Sequence, residues 1–208
     1  MKYFLIHLSN LEESGTKKIY KLNLNKYQSF INEYREIFPD QELTIYLNGG
    51  DPTLLLDDVK ELLKNSKRIQ YVLLPRLKYV LDEEHQELIE GLPCIIRYDS
   101  NNTEKMQIFL ENLKKIKNKG NKLISLKKED YSSESSLITT IRFLHNYGYD
   151  KFIIDGEVPE SLDEDNVMFI MDPLQNLDYE IDFLGNIYDM RKSEKKSTIF
   201  KNVGYLLF

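Results

Sequence analysis

Residues 44–55 read TIYLNGGDPTLL: an apolar, β-type run stops at Gly49-Gly50 and resumes as Asp51-Pro52 in front of leucines. Glycine reaches left-handed backbone and tolerates close approach of another chain, so the pair marks a sharp turn. Asp51 suits an N-cap and Pro52 the first turn of a helix. The stretch therefore reads as strand, tight turn, helix, and the same succession recurs along the chain.

Further β-type runs lie at Tyr3–Leu8, Leu43–Leu47, Ile69–Leu74, Cys94–Tyr98, Lys122–Leu126 and Lys151–Asp155. Between them the apolar residues follow the 3.6-residue period. Asn25 is the expected cap of a helix carrying Tyr27, Phe30, Ile31, Tyr34 and Phe38; a second follows Asp51 with Leu55, Val59 and Leu62. A third spans Asp82 to Glu90. A fourth starts at Thr103 and ends towards a left-handed Gly120; a fifth starts at Ser135 or Ser136 and is followed by Gly148. The later strands recur every 25 to 30 residues, the length of a strand–helix–strand crossover, so the strands should be parallel and the fold class α/β. A barrel and an open doubly wound sheet both satisfy that alternation. Beyond Gly156 the pattern changes to loops and hairpin-like pieces, which divides the chain into residues 1–156 and an appended extension, 157–208.

A chain of 208 residues, 41% hydrophobic and 30% charged, can bury a sizeable core. Its net charge of -6 gives no footprint for nucleic acid. No apolar run exceeds six residues and the N-terminus lacks a signal-sequence order, so a cytoplasmic protein without a membrane partner is expected. One cysteine, Cys94, excludes an internal disulfide and any cysteine-only cluster site within the chain. No G-x-S-x-G elbow, P-loop or Rossmann glycine fingerprint occurs, and no two of His7, His85 and His145 have metal-site spacing.

The order of elements together with Gly49-Gly50-Asp51-Pro52 resembles the radical S-adenosylmethionine superfamily, whose partial barrel of six strand–helix units has Gly-Gly-Glu-Pro after its second strand. IIRYDS at 95–100 is similar to the family's fourth strand, KKIKNKGNKLISL at 114–126 to its fifth, and LHNYGYDKFII at 144–154 to the approach to its sixth. The resemblance implies a partial (βα)6 TIM-like barrel, with Gly49, Gly50 and Asp51 where the family holds the methionine amino group. It departs where C-x-x-x-C-x-x-C should follow the first strand: the segment reads SNLEESGTKKIY and holds no cysteine. Thiolates are what hold a [4Fe–4S] cluster, so no iron–sulfur cofactor is expected, and whether S-adenosylmethionine is still bound stays open. EIDFLGNIYDM at 180–190 is similar to the start of the auxiliary-cluster (SPASM) extension of peptide-modifying members, with Met190 in place of a ligand cysteine; a plain hairpin with a Leu-Gly-Asn turn would read the same way.

If alternate strand residues face inward, the polar set near the strand ends is His7, Ser9, Asn48, Arg97, Asp99, Lys127 and Asp155. Arg97 stands out, because an arginine enclosed in IIRYD must be paired, for example with Asp99 or Asp155, or reach a pocket. The ligand-binding candidates are thus His7, Asn48, Gly49, Gly50, Asp51, Arg97 and Asp99, with no catalytic or metal residues assigned. The resemblance implies a non-catalytic scaffold that binds a peptide or a cluster-bearing partner enzyme. The alternative is a repurposed enzyme using acid–base or nucleoside-ligand chemistry at the same strand ends.

Overall fold

A computed structural model describes residues 1–11, 19–64, 67–98, 103–155, 157–162 and 166–199. In chain order the elements are β1 (Lys2–His7), α1 (Leu24–Ile37), β2 (Leu43–Asn48), α2 (Leu56–Leu63), β3 (Ile69–Leu73), α3 (Glu83–Gly91), β4 (Cys94–Arg97), α4 (Thr103–Lys115), β5 (Lys122–Lys127), α5 (Glu134–Asn146), β6 (Lys151–Asp155), β7 (Met168–Phe169), β8 (Tyr179–Ile181), β9 (Asn186–Asp189) and β10 (Glu194–Thr198). The expected α/β class with parallel strands is what forms. The described residues fall into two compact units, one from Met1–Leu73 with the chain from Leu174 onward, the other Leu74–Pro173.

In the first unit β1 pairs in parallel with β2, and β2 with β3. The sheet continues on the far side of β1, where β8 pairs in parallel and leads into the antiparallel hairpin β9–β10. The apolar positions of β1 and β2 build the core: Phe4, Ile6, Ile45 and Leu47 are fully buried, with Tyr27, Phe30 and Ile31 of α1 and Val59 and Leu62 of α2 packed among the buried residues. Burying each such side chain is worth about 1.5–3 kcal/mol. Phe4 meets Tyr34 edge-on at 5.5 Å and Tyr179 at 5.2 Å, so one ring links β1, α1 and β8.

The second unit pairs β4, β5, β6 and β7, all in parallel. Ile96, Ile124, Leu126 and Phe152 form its strand core, covered by Leu113 of α4 and Leu137, Ile141 and Leu144 of α5. Tyr149 is fully buried and donates its hydroxyl hydrogen bond to the Leu113 carbonyl at 2.9 Å, tying the approach to β6 to the last turns of α4.

Three helix ends differ from expectation. Asn23, rather than Asn25, caps α1, its side chain accepting from Lys26 N at 3.1 Å. Ser133 caps α5 in a reciprocal box with Ser136, because the helix starts a turn earlier than its first apolar residue implies. Gly120 is not left-handed: α4 ends at Lys115, and the glycine belongs to the turn before β5. Gly148, after α5, is left-handed, with φ +87°. The EIDFLGNIYDM stretch is a hairpin, β8 and β9, with Gly185 left-handed in its turn.

Candidate functional site

The ends of β1 and β2 lie side by side, with His7 opposite Asn48 and Leu8 N donating to Asn48 O at 2.9 Å. The chain leaving β1 then turns across the Gly-Gly pair. Gly49 and Gly50 have φ of +96° and +66°, conformations that L side chains rarely adopt. A Cβ on Gly49 would lie 2.6 Å from both Leu8 N and Ser9 O; one on Gly50 would lie 1.7 Å from Leu11 O. Both positions therefore require glycine twice over, by backbone angle and by the absence of space.

The turn's polar groups are used within the fold. Asp51 N donates to Leu11 O at 3.2 Å. Asp51 is 3% exposed, and its Oδ1 accepts from Thr53 N at 3.1 Å and Thr53 Oγ1 at 2.6 Å. It caps a 3-10 turn, Pro52–Leu55, rather than α2 itself, which starts behind that turn with Leu55 at its N-cap and no side-chain cap. Ser9, buried, accepts from Leu11 N through its Oγ at 3.0 Å. Chain 8–11 is thus locked to the turn and rejoins the fold through the Ser9–Lys21 bridge and Leu22 N to Leu8 O at 2.8 Å.

His7 has a partner that the sequence does not reveal. Its Nε2 lies 2.8 Å from Glu180 Oε1, both side chains being partly exposed. Glu180 is opposite Tyr188 across the hairpin, and Tyr188 donates its hydroxyl to Asp182 Oδ2 at 3.2 Å. Desolvation, followed by the nearby Asp182 and Glu180 carboxylates, holds the Tyr188 phenol above its ordinary value. Asp182 is fixed in turn by Leu184 N and by both nitrogens of Asn186. Glu180 escapes sequence reasoning because its partner is 173 positions away and EIDFLGNIYDM carries only hairpin signals.

Of the sequence-derived candidates, His7, Asn48, Gly49, Gly50 and Asp51 come together. Arg97 belongs to the other compact unit, where it ends β4 opposite Ser125 and is exposed. An exposed guanidinium needs no buried partner, so the expectation that Arg97 is enclosed does not hold. Asp99 lies outside the described residues. Cys94 is buried in β4, its Sγ 3.4 Å from Leu92 O and 3.6 Å from Ile89 O, and burial pushes its thiol up to about 12. Thiolates hold a [4Fe–4S] cluster; the segment after β1 has no cysteine, and the one thiol present is enclosed. Among the described residues no group of three or more His, Cys, Asp or Glu is arranged to hold a metal, and no helix is long and apolar enough to cross a membrane.

The alternation of parallel strands and helices with a glycine-rich turn after β2 is the α/β class expected, and a solved structure shares the fold. A structure described as native anSMEcpe with bound AdoMet and Cp18Cys peptide matches with a TM-score of 0.63 at 11% identity, covering 99% of this chain and 79% of that one. At that identity the likeness is one of fold. No protein-family model matches the chain, and no curated protein does.

Proposed function

We propose that this chain is a non-catalytic binding or scaffold protein related to radical S-adenosylmethionine peptide-modifying enzymes, and that it engages a peptide or a cluster-bearing partner enzyme. One observation carries the reading: the Gly-Gly-Asp-Pro turn stands where the family has Gly-Gly-Glu-Pro, yet Leu11 O occupies the space at Gly50 and takes the Asp51 N–H, within a segment that has no cysteine. In this reading the turn works as a clasp for the chain after β1, residues 1–156 are the inherited framework and 157–208 a degenerate extension. A solved structure of similar fold holds a peptide, which is why a peptide is the first partner to seek.

The test has two arms. After anaerobic incubation with ferrous iron and sulfide, the protein should carry no cluster absorbance and release no 5′-deoxyadenosine from S-adenosylmethionine and dithionite. Native purification from its own host, with cross-linking, should recover a stoichiometric peptide or cluster-bearing enzyme. Release of 5′-deoxyadenosine, or a chain that purifies alone, overturns the proposal.

The His7–Glu180 contact supports a second reading, a repurposed site with acid–base or nucleoside-ligand chemistry. Calorimetric titration with S-adenosylmethionine and S-adenosylhomocysteine separates the two. Heat that is lost in His7→Gln and Asp51→Asn favours the second reading; no heat favours the clasp.

A further inference from the structure

β7 is the last strand of its sheet order among the described residues. Met168 N donates to Asp150 O at 2.7 Å and Ile170 N to Phe152 O at 2.8 Å, so these residues turn their backbone groups towards β6. By the alternation of an extended chain, Phe169 and Met171 direct theirs to the opposite edge. The side chains beside that edge are apolar and open: Met168 is 55% exposed and Met171 75%. Terminal strands are usually blunted by charge, proline or a bulge, because unpaired backbone recruits other chains. β10, the terminal strand of the first unit, follows that rule, with Lys195, Lys196 and a register break between Lys195 and Ser197. β7 is short, two residues, but Met168 to Met171 carry no charge, proline or bulge.

The described approach to β7 also has one sign of charge. Its charged residues between 157 and 172 are Glu157, Glu160 and Asp172, with no lysine or arginine. Glu157 and Glu160 from this run, with Glu134 of α5, line an open concavity of about 790 Å³ together with Val158, Pro159 and Ser161. Such a field attracts cations and repels acidic chains.

We propose that the outer edge of β7 docks an extended peptide carrying lysine or arginine, which adds to the sheet as a further strand. The inference rests on the peptide-binding reading above and gives it a place and a ligand class. Backbone pairing to Phe169 and Met171 supplies register, Met168 and Met171 cover apolar side chains of the ligand, and the acidic run selects its charge. Methionine suits this role because its flexible thioether adapts to different partners.

The probe is fluorescein-labelled Lys-Val-Lys-Val-Lys-Val amide, with Glu-Val-Glu-Val-Glu-Val amide as its counterpart, read by fluorescence anisotropy on the full chain at low and moderate salt. The lysine peptide should bind at least tenfold more tightly than the glutamate peptide. Met171→Pro removes an outward N–H without touching the bonds to β6, and should weaken binding at least tenfold at unchanged melting temperature. Should that variant fail to fold, Met168→Lys with Met171→Lys keeps every backbone donor and should weaken binding at least fivefold. Lys195→Glu, on the β10 edge, should leave it unchanged. Equal binding of both peptides, no binding at millimolar concentration, or binding that Glu157→Gln and Glu160→Gln weaken and Met171→Pro does not, overturns the proposal. So does self-association abolished by Met171→Pro, which makes a second copy the occupant. Its failure is distinguishable from that of the scaffold reading: a native partner retained by Met171→Pro leaves the scaffold standing and removes the edge. A lysine peptide bound at β7 by a chain that purifies alone does the reverse.

Discussion

Gly50 has the least freedom of any glycine described here. Leu11 O stands where its Cβ would be, and φ is +66°. Gly50→Ala should cost more than about 2 kcal/mol, from the left-handed backbone penalty plus displacement of Leu11, and lower the thermal midpoint by at least roughly 4 °C. Gly91→Ala, with nothing within 4 Å, should stay within about 0.5 kcal/mol of the parent. Calorimetric melting of the two variants checks both, and a mild Gly50→Ala would mean that the chain after β1 is not held as described. Cys94 makes an equally sharp case: its buried, protonated thiol should not react with Ellman's reagent at pH 8, and denaturation should release one reactive thiol.

At the scale of elements, the attachment of the hairpin to β1 is concentrated in Asp178. This carboxylate is 4% exposed; it accepts from Lys2 Nζ and from Tyr3 N at 2.9 Å each, and from the Arg191 guanidinium. One side chain thus joins the start of β1, the entry to β8 and the turn after β9. Asp178→Ala leaves two cations and a backbone N–H without their acceptor, and should cost about 2–4 kcal/mol by urea denaturation. Lys2→Ala and Arg191→Ala should each cost less, because the carboxylate keeps a second cation. Tyr149 plays a comparable part in the second unit, and Tyr149→Phe should cost about 1 kcal/mol for the bond to Leu113 O.

Over the whole molecule, buried acids set the response to alkali. Desolvation comes first in raising Tyr27, Tyr34, Tyr71, Tyr131 and Tyr149 above the ordinary phenol value of 10.0, Tyr34 and Tyr71 to about 12, and Cys94 from 9.0 to about 12. Each keeps its proton in the folded state at a pH where the unfolded chain has lost it. Their stabilisation is complete below the unfolded values and is lost as pH rises through the folded ones. Lys122 acts in the opposite sense: burial lowers it from 10.5, so the cost of its buried charge is relieved as pH rises. Lys2 is lowered too, first by desolvation, while Tyr98, Tyr179 and Tyr188 join the raised acids, so two lysines stand against nine acids. Unfolding free energy should therefore hold between pH 7 and 9 and fall above about pH 10, by about 1.4 kcal/mol per unit for each fully contributing group. Tyr149→Phe should make the fall shallower. A profile flat to pH 12 would mean that these phenols are open to water.

The sequence by itself determined the succession of strands and helices, the parallel pairing within each run, the left-handed turn after β2 and the absence of cluster thiolates. These are local properties: apolar period, turn chemistry and residue type are written within a few positions of where they act. It also located His7, Asn48, Gly49, Gly50 and Asp51 near one strand end, since neighbouring parallel strands end together. Only the tertiary structure decided that β8 pairs with β1, that Glu180 faces His7, that Asp178 binds Lys2 and Arg191, and that Arg97 is exposed. Helix capping by Asn23 and Ser133 was settled there too, by how much chain each connection needs. Backbone pairing groups are the same in every residue and a carboxylate does not name its cation, so contacts spanning some 170 positions leave no periodic trace. They are chosen by which packing buries the apolar faces together, a property of the assembled chain.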